Sequence, residues 1–481
     1  MRIMVRSIAV VGLDGMSWNI LEVLFERGAM PFLKSIVCRN SFTATLKSTL
    51  PPSTCPAWTS IATGVNPGKH NVYSFLSINK GDLGFESKIV TARDVKYPRI
   101  HELVGMFKAK SLIINLPATY PPEYNTAFKT SVVVSDWLSP EIKAYPAEYE
   151  GLAKALRTHL VSKATAKPPK IYKLMEERVE RISFETLNVL EKFKPDLMFI
   201  VFSEPDWIMH RDPLFLKGDN MHLASKMFNV IDDFIREIYD VFDHMVFVSD
   251  HGFSLYGKGI SVVSILKRRG IKARSMGASK PKSRRKITEV LFKIGRHKQI
   301  RPLARVVAKK LFKEKYSERI APYSQFEVLF PGSDPRYIYV KPGMEDVVVD
   351  ALREVDLLKV YRSYEVYRGP CVSHAPDVLV EPVDYSYLLL TEEKGEVVTE
   401  IKKDVPAHHP CGIFVTTGFE YNGCGMLETY DVVPIVLYLM GLPIPSDTDS
   451  KLLWLKEKPR RYRYSTKWKL LKSLGKGRLA I

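Results

Sequence analysis

Residues Val246-Phe247-Val248-Ser249-Asp250-His251-Gly252 pass in one step from an apolar run to an acid–imidazole pair. A short run rich in β-branched and aromatic residues fits a strand buried on both faces, the kind found in parallel sheets. Runs of the same character recur, and the candidate strands are Ser7–Leu13, Ser111–Asn115, Leu197–Phe202 and Met245–Ser249. Stretches with helical period lie among them: Ser17–Glu26, Pro56–Thr63, Tyr172–Phe193 and Leu223–Phe242. The alternation predicts an α/β fold, a mostly parallel central sheet flanked by helices. Such sheets bind ligands outside the carboxyl ends of their strands. Asp14, Asp206 and Asp250–His251 all fall just after a candidate strand.

The pattern changes beyond His251. Residues 256–334 are expected to form a basic, mainly helical inserted cap, dividing the catalytic core into 1–255 and 335–450, with a basic tail at 451–481. Arg336–Val340 reads as a strand returning to the body. Val378–Val380 and Gly412–Thr416 are expected to resume the sheet, and Thr429–Leu442 to close it as a helix. The net charge of +18 is concentrated: Lys267–Arg319 carries +17 and Lys456–Ile481 carries +9, leaving a mildly acidic body. Blocks of this kind suit anionic partners such as polyphosphates, nucleic acid or an anionic membrane surface, or else form a solvated basic face. Trp468, Leu470, Leu471 and Leu474 could form one face of a short interfacial helix. Lys282, Arg284, Arg285 and Lys286 are candidate contacts to an anionic substrate. No run approaches a transmembrane length. Five cysteines without CxxC spacing argue against a disulfide framework and favour the cytoplasm, while the basic insert and tail allow peripheral attachment at a membrane.

The residues with chemical potential are Asp14, Thr54, Asp206, His210, Asp250, His251 and His408. Asp206 and His210 are four apart, so one helical turn would put both on one face. Asp250 and His251 are adjacent and could reach a shared ion from a tight loop, with Gly252 permitting unusual backbone. Pro56 fits the first position of a helix and Gly64 the position after its end, which puts Thr54 at or just before the helix start. There it is either an N-cap or a nucleophile beside a phosphate. Each residue alone also has a plain reading, as a turn carboxylate, a surface pair or a core histidine. Carboxylates, imidazoles and no thiolate suit Zn²⁺, Mn²⁺ or Fe.

Taken in order, these motifs resemble the alkaline phosphatase superfamily, most closely its type I phosphodiesterase/nucleotide pyrophosphatase branch. The first metal-binding Asp of that family falls on Asp14 and its nucleophile on Thr54 in Thr54-Cys55-Pro56. Its Asp-x-x-x-His pair falls on Asp206 and His210, its Ser-Asp-His-Gly motif on residues 249–252, and its late histidine on His408. Thr63–His70 and Ala375-Pro376-Asp377 are smaller matching stretches, and His70 reads as structural. The resemblance implies two divalent ions, one held by Asp206, His210 and His408, the other by Asp14, Asp250, His251 and the Thr54 oxygen. It implies hydrolysis of a phosphate ester through a phosphothreonine, and the basic blocks are compatible with a phosphorylated small-molecule or lipid-linked substrate. Two departures stand out. The residues after Thr54-Cys55 are Pro56, Ala57 and Trp58, without the family's phosphate-holding Asn, and no phosphate-gripping Arg can be placed. A phosphotransferase or mutase of the same superfamily, and a non-catalytic binder of nucleic acid or membrane surface, are the alternatives.

Overall fold

The computed structural model describes residues 5–39, 41–82, 84–125, 130–160, 166–276, 319–332, 334–418, 425–452 and 459–476. The centre of the expected cap, with Lys282, Arg284, Arg285 and Lys286, lies outside the described residues.

A nine-stranded sheet forms the body. Its order is Met426–Glu428, Ser41–Lys47, Cys411–Thr417, His244–Val248, Ile8–Leu13, Leu197–Phe202, Ser111–Ile114, Ser131–Val134 and Ala144–Tyr145. The sheet is mixed and mostly parallel, with antiparallel pairing where Cys411–Thr417 meets both its neighbours and at the Ala144–Tyr145 edge. All six residues of Ile8–Leu13 are buried, as are all six of Leu197–Phe202. The period-2 alternation of a strand explains how both faces are used. Ala9, Val11 and Leu13 enter one core with the helices Trp18–Glu26, Lys170–Phe193 and Met221–Tyr239. Ile8 and Val10 enter the other with the helices Thr54–Thr63 and Val432–Leu439.

The three middle strands, His244–Val248, Ile8–Leu13 and Leu197–Phe202, run parallel and in step, with Gly12 opposite both Val248 and Val201. Their carboxyl ends therefore finish side by side. Asp14, Asp206 and Asp250–His251 are carried on the chain just beyond them.

Other strands lie outside this sheet. Tyr337–Val340 and Val378–Pro382 do not rejoin the body, contrary to expectation. They pair with each other inside a separate five-stranded sheet that also holds Ala273–Met276, Val328–Pro331 and Leu358–Arg362. This sheet has its own core, built with the helices Val262–Arg268 and Glu345–Arg353. The reason is that a short apolar run records burial, not the sheet it is buried in. Nor does regular structure lapse after His251. Gly252–Ser261 is a ten-residue strand. It pairs antiparallel with the long Val398–His409 strand, setting Phe253 opposite His408. Only alternate or scattered residues of these strands are apolar, which hid them.

The tail helix Tyr464–Lys476 packs against the body. Tyr464 and Trp468 are buried in the core of the central sheet, and the Trp468 indole donates to Glu102 at 2.8 Å. Trp468 is thus committed to the interior and is not free to lie on a lipid surface; burying such a side chain is worth roughly 1.5–3 kcal/mol. Leu470 is exposed. Among the described residues no helix is long and apolar enough to cross a membrane.

Candidate metal centre

Thr54 is the first residue of the Thr54–Thr63 helix, which begins two residues before Pro56 because proline is tolerated anywhere in a first turn. Ser53 holds the N-cap position without a side-chain capping bond, and Gly64 closes the helix at φ 73°. Thr54 is buried, and its hydroxyl lies 3.3 Å from His251 Nε2.

His251 follows Asp250 at the end of the His244–Val248 strand. Ser249 fixes this turn by donating to the Met16 carbonyl at 2.5 Å and accepting from the Ile413 amide at 2.8 Å. Gly252 is required here for space. A Cβ would sit 2.2 Å from the Cys411 carbonyl oxygen, so close approach of two backbones, not an unusual φ, demands glycine. The His251 Nδ1 lies 3.1 Å from its acceptor, the Gly252 carbonyl. That partner puts the proton on Nδ1 and leaves Nε2 with a lone pair. Nε2 nevertheless faces Asp250 Oδ2 at 3.2 Å and Asp14 Oδ1 at 3.8 Å. An imidazole lone pair and two carboxyl oxygens thus converge on one point.

The same pattern repeats beside it. His408 Nδ1 donates to the Pro52 carbonyl at 3.4 Å, so its Nε2 lone pair faces inward. There it meets His210 Nε2 at 3.0 Å and Asp206 Oδ1 at 3.5 Å. Asp206 lies in the short Glu204–Met209 helix and His210 caps it, and their side chains meet at 3.4 Å as the four-residue spacing predicts. The His251 and His408 rings stack at 3.6 Å.

Two sets of side chains could each surround one cation: Asp206 with His210 and His408, and Asp14 with Asp206 and His251, each set having its ligand atoms within 4.8 Å of one another. Asp250 adjoins the second through His251. All seven residues named from the sequence converge here, while the four basic residues of the insert lie outside the described residues.

Electrostatics shows what the metal-free set lacks. Burial, then the charges of Asp250 and Asp206, push the Asp14 carboxyl well above its usual range. Burial and Asp206 do the same to Asp250. Burial and the neighbouring His408 hold His251 well below the imidazole range. Burial alone would raise Asp206, but His210, His408 and His251 outweigh it and hold its carboxyl low. Asp14 Oδ1, Asp206 Oδ1 and Asp250 Oδ2 are buried with no hydrogen-bond partner. Buried carboxylate oxygens without partners are costly, and divalent cations would satisfy all three. An imidazole that donates one N–H to a backbone carbonyl and turns the other nitrogen inward is also how metal-binding histidines are held. The residues present fit two ions.

His70 is the contrast. It is buried with both nitrogens used, accepting from the Val72 amide at 3.1 Å and donating to Ser60 at 2.9 Å.

The sequence reading missed two pairs at the site. Arg178 and Glu204 form a buried ion pair behind the Asp206 helix. Arg336 takes both carboxylate oxygens of Asp334 and donates to the Pro52 carbonyl at 3.2 Å. The proximity of Arg178 to Glu204 gives no local signal, whereas Asp334-Pro335-Arg336 is a visible charged turn that had no assigned place.

The sequence matches the family model for type I phosphodiesterase / nucleotide pyrophosphatase over residues 8–403. No curated protein is significantly similar in sequence. Among solved structures, phosphonoacetate hydrolase from Sinorhizobium meliloti 1021 is similar at 15% identity and TM-score 0.54, over 91% of this chain and 96% of that one. Murine ectonucleotide pyrophosphatase / phosphodiesterase 5, as an inactive variant in complex with AMP, is similar at 13% identity and TM-score 0.51, over 94% and 97%. The alkaline phosphatase PafA is similar at 12% identity and TM-score 0.52, over 91% and 96%. At such identities the likeness is one of fold.

Proposed function

This chain belongs to the type I phosphodiesterase / nucleotide pyrophosphatase family, a family of phosphoesterase hydrolases, and from that premise we propose that it is a two-metal phosphodiesterase with Thr54 as nucleophile. Asp206, His210 and His408 would hold one ion, and Asp14, Asp250, His251 and the Thr54 oxygen the other. The single observation that carries the reading is the set of three buried carboxylate oxygens, on Asp14, Asp206 and Asp250, that have no hydrogen-bond partner. When bound, divalent ions lower the pKa of a hydroxyl beside them and offset charge on phosphate oxygens. The mixed carboxylate–imidazole set favours Zn²⁺, with Mn²⁺ or Fe as alternatives.

The chain's own groups divide the work. The Thr54–Thr63 helix presents its free amides and positive dipole end beside the hydroxyl, where a phosphate would sit. Thr54 attacks phosphorus in line, giving a phosphothreonine and releasing the alcohol. Water then cleaves the phosphothreonine, restoring the hydroxyl. Burial of Thr54, Asp14, Asp250 and His251 keeps bulk water from the reacting oxygen and strengthens every charge interaction there.

The substrate would be a phosphorylated small molecule such as a nucleotide; the AMP held by the murine relative gives one candidate chemistry. A lipid-linked phosphodiester suits the basic blocks equally, and Lys282, Arg284, Arg285 and Lys286 would then contact its charge. The four described cysteines, Cys38, Cys55, Cys371 and Cys411, are unpaired, which suits the cytoplasm. The test is turnover of an aryl phosphodiester together with metal content. Wild type should bind about two ions and turn over. Thr54→Ala should keep its metal and lose turnover. Full activity of Thr54→Ala would make water the attacking species. Absence of bound metal, with tight binding to nucleic acid or liposomes, would favour the non-catalytic binder. Accumulation of a transfer product with an added alcohol would favour a phosphotransferase.

A further inference from the structure

The stretch that leads to Thr54 cannot hold itself in place. Leu50-Pro51-Pro52-Ser53 enters the Thr54–Thr63 helix without helix or strand of its own, and Pro51, Pro52 and Ser53 are buried. Pro51 and Pro52 carry no N–H, so the stretch has four carbonyls and two N–H groups. Buried carbonyls need donors. Ser53, at the N-cap, makes no side-chain capping bond that would anchor it to the helix.

The donors come from far along the chain. The Tyr367 hydroxyl donates to the Leu50 carbonyl at 2.6 Å. Arg336 Nη2 donates to the Pro52 carbonyl at 3.2 Å. Between them, the Tyr337 hydroxyl stands 3.5 Å from the Pro51 carbonyl, a long contact, and the Thr49 hydroxyl is the nearer donor there at 3.0 Å. Arg336 directly precedes the Tyr337–Val340 strand of the five-stranded sheet. Tyr367 follows the short Ser363–Val366 helix that leaves another of its strands, Leu358–Arg362. The carbonyls ahead of Thr54 are thus gripped by the sheet outside the body.

Each donor is itself fixed. Arg336 gives Nε and Nη2 to the two Asp334 oxygens at 2.8 and 2.7 Å. Such a fork holds the guanidinium in one plane, and the carboxylate offsets its charge. Tyr337 and Tyr367 are buried in a cluster with Tyr73, whose ring centroid lies 5.2 Å from that of Tyr367. The Pro52 carbonyl also takes a second donor, His408 Nδ1 at 3.4 Å. One carbonyl, two residues before Thr54, therefore joins the five-stranded sheet both to the hydroxyl and to an imidazole of the centre. A bond that served stability alone could fall anywhere between the two sheets. These fall within four residues of the reacting oxygen, on a stretch short of donors.

We propose that Arg336 and Tyr367 are positioning residues, which set the Thr54 hydroxyl through the Pro52 and Leu50 carbonyls and keep it in register with His408. The inference rests on the Thr54 reading above and gives the five-stranded sheet a part in that reaction. Both residues act through the backbone, not on the substrate. A shift of about 1 Å in a reacting group can cost about 10²-fold in rate.

The experiment measures p-nitrophenol release from methyl p-nitrophenyl phosphate in a single turnover, with metal-loaded enzyme in excess and its concentration varied. Arg336→Ala should lower the saturating rate by about 10²-fold and Tyr367→Phe by about tenfold. The half-saturating concentration should stay within about twofold of wild type, and about two ions should remain bound. A raised half-saturating concentration with the saturating rate intact would make Arg336 a substrate contact and overturn the proposal. A wild-type rate in either folded variant, or loss of bound metal in step with the rate, overturns it too. Tyr367→Phe removes one oxygen and keeps the ring, so it decides the matter if Arg336→Ala does not fold. Thr54→Ala separates the two readings. Full release there removes the nucleophile assignment itself, whereas loss there with wild-type rates in the other variants removes only the positioning role.

Discussion

The inner half of the centre, Asp14, Asp250 and His251, and the outer half, Asp206, His210 and His408, are held by different parts of the fold. The inner residues are at most 1% exposed and sit just beyond two adjacent strands of the central sheet. The Gly15 amide fixes Asp250 Oδ1 at 3.2 Å, and the Gly252 carbonyl fixes His251. The outer residues come from the end of a short helix and from a strand outside the central sheet, and the His210 side chain is 43% exposed. A site half inside the core and half at its edge has a rigid side for the nucleophile and an open side for exchange. On the proposed mechanism the inner half fixes the attacking oxygen, and the outer half releases the product.

The widest separation of the two halves is expected from Asp250→Asn. Loss of an inner carboxylate should lower kcat on an aryl diester by about 10³-fold or more. In metal-free protein the same change should have the opposite sign on stability. Asp250 has a folded pKa raised above its unfolded value, so its charge costs stability as pH rises through the folded pKa, and the cost is absent below the unfolded value. Metal-free Asp250→Asn should therefore melt above wild type at pH 8, with the gap closing toward pH 4. A lower melting temperature than wild type at both pH values would refute the picture of an inner half strained without cations.

Arg178→Ala tests what supports the outer half. It strands Glu204 in the interior, two residues from Asp206, and should cost about 3–5 kcal/mol by denaturant titration. A loss below about 1 kcal/mol would mean that the pair is already neutral. His210→Ala should lower metal content from about two ions to about one, with turnover falling roughly 10²-fold. Equal loss of both ions would erase the distinction between the halves.

The smallest effect on the centre is expected at His70. Burial, then Arg99, push its pKa down to about 3, so the folded protein keeps it neutral while the unfolded chain protonates near 6.5. Stability from this group is present above pH 6.5 and lost as pH falls from there toward 3. His70→Gln should flatten that acid limb without changing metal content. A loss of bound metal would mean that this histidine communicates with the centre.

The comparison of histidines shows what could be read in advance. His251 was legible because an apolar strand delivers it to a strand end, and His210 because a four-residue spacing ties it to Asp206. His408 could be named only by resemblance. It lies on Val398–His409, a strand of mostly half-exposed residues with no continuous apolar signal. The Asp334–Arg336 turn was visible as a charged stretch, but its place beside Pro52 was not, since nothing local says which way the turn faces. The tail misled for a related reason: an aromatic and leucine pattern beside lysines serves a membrane face and a docked helix equally well, and Trp468 proved to be docked.

By itself the chain determined which runs are strands buried on both faces, that three acidic segments follow such strands, and where its positive charge is concentrated. Those are local properties, carried by hydropathy and spacing. Which sheet each run joins, and that Phe253 stands opposite His408, were decided by tertiary structure. Periodicity specifies which face of an element leaves water, but the partner for that face is chosen by packing between segments more than a hundred residues apart.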